Sequence, residues 1–591
     1  MNQGGTGSLP SDTHEKLPSQ LIQSKIVDAD VICSHTFDLL GSGPKKVSAN
    51  NYSYQPIDWH VDFKSGYRWN PKEIYYRIKL SPKPGVDVKV PWELSRCQHL
   101  VTLGQAYALT KAKKYSDEFQ NQIEDWIRNN RVGFGVNWSC TMDVAIRAAN
   151  WLVAQEYFDE QSLTNGFWKE FYTSIYEHGK FIRSHLENKR RITTNHYIAD
   201  LAGLFFIAVY CPFFEESKIW KEFAVKELVK EIDQQVYDDG CIFEASTSYH
   251  RLSLELFFYS ELLASRSGME FPQEYCVKVR KMFEFTLYCV KPNGHIPQIG
   301  DNDSGRFLLF SKRKILDHRY LLLLATNYYR DNFFKIENLT YDEEAFWLFD
   351  EKNHDWFASL PKRSTPIKSK AFPNAGWYIL RNRDDYCFVS CGSNGQGGSG
   401  GHAHNDKLSF ELVLNGNDII LDPGSYIYLP NPAERNKFRS TKYHNCVSFS
   451  GEEQNTFSLG IFNLPDRVEI VSADLKETEE EITFAGEIKY LSYAHRRSVR
   501  LSKESGTVEI NDSFSPSDES DVQAFFHLAP GLAYKDGYIH QNNSDVKLAK
   551  ISTKQQSINK VGYDYSPEYG KKVDAESLFL NNNTQTTFMK Y

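Results

Sequence analysis

The sequence predicts a multidomain α+β protein in which an all-α half is followed by an all-β half, and three observations carry that prediction. At 591 residues the chain is far too long for one small module. From about residue 90 to 355 apolar residues recur with a helical period and no strand-like run intervenes. Beyond the Pro/Lys/Ser-rich stretch Leu360–Asn374 the period drops to two.

Composition narrows the class. Hydrophobic residues make up 41% and charged residues 24%, enough for a large core and against wholesale disorder. Mean hydropathy is -0.51. No window holds ~18 uncharged apolar residues, so no membrane span is expected. A net charge of -8 argues against a dedicated nucleic-acid binder and leaves any polyanionic ligand to a local basic patch. The ten cysteines are scattered without a CxxC pair and read as reduced core residues. The first 25 residues are polar and lack a secretory h-region. The expected location is therefore the cytoplasm, or the periplasm or exterior if a leader has been removed.

In chain order, residues 1–60 are mixed and receive no firm element. The α half spans 61–359. Its helices are exemplified by Tyr115, Phe119, Ile123, Trp126 and Ile127 on one face, and continue at Trp151–Phe158, Phe167–Ile182, His196–Tyr210, Trp220–Val236, Leu252–Leu263, Tyr275–Val290 and Ile315–Tyr329. A linker at 360–374 leads to the β half at 375–591. There Leu408, Phe410, Leu412 and Leu414 alternate ahead of Asn415-Gly416 and a returning run, Asp418–Leu421, the signature of a hairpin. Further strands are expected at Tyr386–Ser390, Arg467–Val471, Ile482–Tyr490, Ser498–Ser502 and Thr507–Asn511, at spacings typical of a sandwich.

Four clusters carry chemistry. Thr193-Thr194-Asn195-His196 opens a helix after Lys189-Arg190-Arg191, with Asp200 one turn on and able to orient the imidazole. A small, polar loop, 238–250, brings Glu244 and then Tyr249 to a helix entrance. Residues 298–306 have calcium-loop residue types without EF-hand spacing and read as an Asx turn. His402-Ala403-His404 follows a glycine run. On a strand both rings would share a face, and with Asp422 and His444 the set offers N/O ligands for zinc or another divalent ion. Arg435, Lys437, Arg439 and Lys442 would supply the local basic patch.

The order Asn195-His196, Tyr249, Gly300–Arg306, Gly401–Phe410, Leu421–Ser425 and Arg439–Asn445 resembles the heparinase II/III-like polysaccharide lyases over nearly the whole chain, and looks closest to their broad-specificity glycosaminoglycan lyases. The resemblance implies an incomplete N-terminal (α/α) toroid, a C-terminal antiparallel β-sandwich and a polysaccharide cleft between them. It implies β-elimination at uronic acids of an acidic polysaccharide such as hyaluronan, chondroitin sulfate or heparan sulfate. Asn195 and His196 would neutralise the carboxylate, and Tyr249 and His402 would divide the acid and base roles. It also implies a divalent metal on His404, Asp422 and His444. Zinc or manganese is expected over calcium, with no organic cofactor. Arg96, Arg147, Arg191, Glu244, Arg435 and Arg439 are the candidate substrate contacts, and Tyr426, Tyr428 and Tyr443 are candidates for a further hydroxyl.

Rival readings are an alginate or exopolysaccharide lyase of the same superfamily, a hydrolase built on Glu244 and Asp301, a cupin-like oxygenase and a polysaccharide-binding protein. A hydrolase needs two carboxylates facing the scissile bond, whereas the clusters here are built from Tyr, His and Asn.

Overall fold

The computed structural model describes residues 8–9, 17–48, 54–188, 192–361, 363, 365–515, 522–554, 557–582 and 584–591. Helix α1 (Ser19–Cys33) lies where no element was expected. It is followed by α2 (Lys89–Ser95), α3 (His99–Thr110), α4 (Lys113–Asn129), α5 (Thr141–Gln155), α6 (Asn165–Ser184), α7 (Asn195–Tyr210), α8 (Ser217–Gln235), α9 (Thr247–Arg266), α10 (Gln273–Cys289) and α11 (Arg319–Tyr329).

Helices α3, α5, α7 and α9 pack in succession, and α4, α6, α8 and α10 each back one of them. The result is an incomplete (α/α) toroid. Burial follows position in the ring. Every residue of α5 is buried, as is all of α7 except His196, because inner helices meet neighbours on all sides. In α4 the buried Tyr115, Phe119, Ile123 and Trp126 form one stripe, as an outer helix requires. Among the described residues no helix is long and apolar enough to cross a membrane.

The β half is a two-layered sandwich. One layer is an eight-stranded antiparallel sheet. The other combines a five-stranded and a four-stranded sheet, linked by the Ile420–Leu528 bridge. A common core, including Leu412, Phe484, Val499, Phe526 and Leu578, joins the layers. Strand Glu481–Tyr490 alternates between buried and more exposed positions, since one face meets solvent. Strand Asp385–Ser390 is buried throughout. Its second face packs Tyr386 and Phe388 with Phe285, Ile296 and Ile299 of the α half. That apolar seam, tied by Lys291 to Glu411 at 3.0 Å, fixes the two halves against each other.

The hairpin is built as the Asn-Gly pair requires, with Asn415 at φ 50° and Gly416 at φ 78° between Phe410–Leu414 and Asn417–Ile420. Leu408 departs from expectation. It precedes the strand with φ 66°, so it is not one of the alternating set.

Candidate active site

The start of α5, the segment entering α7, the start of α9, the 300–306 turn and two loops of the β half meet at the seam. They enclose a cavity of about 410 Å³ lined by Asn195, His196, Tyr249 and His402, together with Lys89, Asp303 and Tyr428. Glycine at 300 lets these segments close up. With φ 65°, a Cβ there would lie 2.4 Å from the Ala245 carbonyl oxygen and 2.5 Å from that of His402.

Tyr249 enters the cavity from the first turn of α9, whose N-cap Ser246 accepts from the Tyr249 amide at 3.1 Å. Its ring stacks on His402, with centroids 3.6 Å apart and planes 18° apart. His402 does not lie on a strand, contrary to expectation; the nearest strand begins at Phe410. The His-x-His pair is organised by Asp301 instead. His402 Nδ1 lies 3.0 Å from Asp301 Oδ2 and His404 Nε2 lies 2.9 Å from Oδ1. Arg435 reaches both oxygens, one of them at 2.7 Å. Burial would raise the Asp301 pKa, but Arg435 and the two imidazoles hold it well below the ordinary carboxylate range. An ionised Asp301 only accepts, so the His402 Nδ1 that faces it is the donor of that bond, while Nε2 lies 3.8 Å from Glu244 Oε2.

The Tyr249 hydroxyl donates to Asp303 Oδ2 at 3.1 Å, and Lys89 Nζ donates to the same oxygen at 2.9 Å. Against burial, Lys89 and Arg96 keep Asp303 ionised. Burial, and then the Asp303 charge, push the Tyr249 phenol well above its usual pKa of 10.0, so it stays a neutral donor.

Asn195 opens α7, but Thr194 makes no side-chain cap there. Glu244 caps the helix from outside, accepting from Asn195 N at 2.9 Å and Asn195 Nδ2 at 2.7 Å. Asn195 Oδ1 is buried without a partner in the cavity wall. His196 Nδ1 lies 3.1 and 3.2 Å from the two Glu187 oxygens. Burial lowers the His196 pKa, but Glu187 outweighs it and the net shift is upward, towards imidazolium. Asp200 does not orient His196. Its Oδ2 accepts from the Glu187 amide at 2.7 Å, so it holds the segment that carries the true partner. Burial and the Glu187 charge push the Asp200 carboxyl well up.

Several expected substrate contacts prove structural. Arg147 is fully buried, sandwiched against Trp126 at 4.1 Å and bonded to His178 Nε2 at 2.9 Å, away from the cavity. Arg435 is spent on Asp301. Arg439 is buried and bonds Asn436 Oδ1 at 2.7 Å, so the expected basic patch loses two of its four members to the interior. Glu244 is a cap rather than a cavity wall. Arg96 does line the cavity, but it is held by Asp143 at 2.6 Å and Glu93 at 2.5 Å. Arg191 lies outside the described residues. The Glu244–Asp301 pair of the hydrolase reading is corrected as well: both side chains have 0% exposure and are saturated by protein groups.

Of the three tyrosines, Tyr428 reaches the cavity, whereas Tyr443 donates to the Asp564 carbonyl at 3.2 Å. Glu187 and Lys89 were not anticipated. Their only sequence signal is an acid nine residues before His196 and a lysine leading a short helix.

The expected metal ligands His404, Asp422 and His444 are neighbours in the β half, but among the described residues they are not a group whose ligand atoms all lie within 4.8 Å of one another. His444 Nδ1 is 2.7 Å from Asp422 Oδ2, and the His404 and His444 rings are 5.2 Å apart. His404 Nδ1 and His444 Nε2 are buried without partners. The imidazole donors suit zinc and the carboxylate suits manganese by type, but these atoms do not close into a ligand set as they stand. Asp422 accepts at Nδ1 of His444 and so orients that imidazole.

Comparison with known proteins agrees with this architecture. The family models described as Heparinase II/III N-terminus and Heparinase II/III-like, C-terminal match residues 17–318 and 364–587. The chain is 24% identical over 383 residues to a heparin-sulfate lyase of Pedobacter heparinus, covering 62% of this chain and 53% of that protein. It is 24% identical over 478 residues to one of Bacteroides stercoris, covering 76% and 65%. It therefore spans about half to two thirds of the length of these relatives. A crystal structure of heparinase III superimposes with a TM-score of 0.73 at 16% identity, covering 100% of this chain and 87% of that one. The heparan sulfate lyase HepC of Pedobacter heparinus gives 0.60 at 19% identity, covering 98% and 84%. With both halves matched in order along the chain, this protein belongs to the heparinase II/III family.

Proposed function

We propose that this protein is a polysaccharide lyase that cleaves uronate-bearing glycosaminoglycans by β-elimination, with heparan sulfate-type chains as its first substrate class. The observation that carries this reading is the stacked Tyr249–His402 pair, which sets a neutral donor beside an imidazole acceptor in one cavity wall. The names of the relatives, heparin-sulfate lyases, support the substrate class. Hyaluronan and chondroitin sulfate are the next candidates, then alginate.

The geometry supports this reading as follows. The C5 proton of a uronate becomes removable only when its carboxylate is neutralised. His196, driven towards imidazolium by Glu187, and the spare N–H of Asn195 would take that carboxylate. His402 Nε2 would accept the C5 proton, with Asp301 stabilising the imidazolium that forms. Tyr249 would protonate the oxygen leaving C4, and Asp303, held by Lys89, orients its hydroxyl. The products are a new chain end and a 4,5-unsaturated uronate. In the β half, His404 and His444, oriented by Asp422, would hold one divalent ion of the zinc or manganese class. That ion would brace the Asp301 shelf behind His402.

The test is the ultraviolet absorbance of the conjugated unsaturated uronate during incubation with heparan sulfate, hyaluronan, chondroitin sulfate, alginate and polygalacturonate in turn. A rise on a glycosaminoglycan supports the reading. New reducing ends without absorbance would replace elimination by hydrolysis.

A further inference from the structure

A second cluster of metal-ligating atoms lies in the cavity wall, apart from the β-half histidines. Among the described residues, Cys140, Glu187 and His196 form the group of His, Cys, Asp and Glu whose ligand atoms all lie within 4.8 Å of one another. Cys140 Sγ is 3.9 Å from His196 Nδ1 and 4.0 Å from Glu187 Oε2, and His196 Nδ1 is 3.1 Å from Glu187 Oε1.

These separations approach the edges of a metal tetrahedron. Zinc bonds of ~2.3 Å to sulfur and ~2.0–2.1 Å to nitrogen or oxygen set ligand–ligand edges of roughly 3.5 Å and 3.3 Å. The Glu187–His196 edge is already there, and the thiol needs to move by only about half an ångström to complete the face. A second observation points the same way. Asp143 lines the same cavity, is 1% exposed, and its Oδ2 meets no N–H or O–H donor; Oδ1 is paired with Arg96, and the Cys140 thiol is the side chain that its carboxylate meets. A buried carboxylate served by a weak thiol donor is poorly satisfied, and a cation bound through that sulfur would offset the cost.

We propose that Cys140, Glu187 and His196 form a binding site for a thiophilic divalent cation of the zinc class. The cavity supplies the open fourth position. As the sulfur–metal bond forms, the S–H bond breaks and its proton passes to solvent. The ion takes the place of the proton between Glu187 and His196: the His196 Nδ1–H bond breaks, that proton also passes to solvent, and Nδ1 becomes a ligand. In its effect on turnover the inference rests on the proposed function: a cation held here takes over the groups assigned to the substrate carboxylate, so zinc would inhibit elimination.

The experiment uses the full chain, stripped with chelator and titrated with Co²⁺, which reports thiolate coordination by a sulfur-to-metal charge-transfer band in the near ultraviolet. Wild type should show the band and lose it when zinc is added. Cys140→Ser should lack it, and Glu187→Gln should weaken cobalt binding at least about tenfold, with circular dichroism checking that both variants fold. No charge-transfer band in wild type, or an unchanged band in Cys140→Ser, would overturn the site. Because this readout needs no turnover, it stands apart from the absorbance assay: a protein that binds cobalt through Cys140 yet makes no unsaturated product would leave the site intact and sink the lyase reading.

Discussion

Tyr249 lies flat on His402, with ring centroids 3.6 Å apart, while its hydroxyl is bonded to Asp303 at 3.1 Å. The ring of Tyr249 therefore serves packing, while its oxygen is the proposed proton donor, and the two separate by mutation. Tyr249→Phe keeps the stack and removes the proton donor. Turnover should fall by ~10²–10⁴-fold, the usual contribution of a positioned acid, with an unchanged melting curve. Activity within a few-fold of wild type would take Tyr249 out of the mechanism.

Glu187 raises the His196 pKa, so the imidazolium persists to higher pH than for a free histidine. If that charge neutralises the substrate carboxylate, activity is lost as pH rises through the raised value. Glu187→Gln removes the cause, and the alkaline limb of kcat/KM should move to lower pH. A profile unchanged in position would show that His196 does not act through its charge.

Much of this site was legible because its motifs stand at two helix starts and on one glycine-rich loop. Asn195, His196, Tyr249 and His402 meet at one cavity, although Asn195 and His402 are over 200 positions apart. What was not legible is which charge satisfies which. Glu187 holds His196 from nine residues away, off any helical period, and nothing in the i, i+4 spacing that favoured Asp200 reveals that its carboxylate turns to a backbone amide. The arginines misled for a related reason. Arg147 and Arg435 are buried because Trp126 and Asp301 receive them, and both partners are distant in sequence. The fold was easier, since its signal is a period rather than a pairing, although α1, with a weak stripe, α3, the helix Pro432–Arg439 and the strands from Val522 onward were not singled out.

Asp301 is an electrostatic hub, meeting Arg435, His402 and His404 with no exposure to solvent. Its depressed pKa contributes stability that is fully present above the unfolded carboxylate value and is lost as pH falls through the folded one. Asp301→Asn removes the charge and leaves Arg435 buried without a counter-ion. The expected loss is ~3–5 kcal/mol in urea unfolding, and much of the wild-type advantage should vanish in strong acid. A variant as stable as wild type at neutral pH would show that Arg435 finds another partner.

Removal of a metal ligand should separate structure from chemistry. Burial pulls the His404 imidazole down to about 4, against Asp301, so near neutrality its Nδ1 is free to bind a metal. His404→Ala should strip one equivalent of zinc or manganese, read by elemental analysis, and lower the melting temperature, because metal bound only to the folded state adds to stability. Chelator should lower the wild-type melting temperature in the same way and leave the variant unmoved. Full metal content in the variant would exclude His404 as a ligand and leave His444 and His527 as the imidazoles to test next.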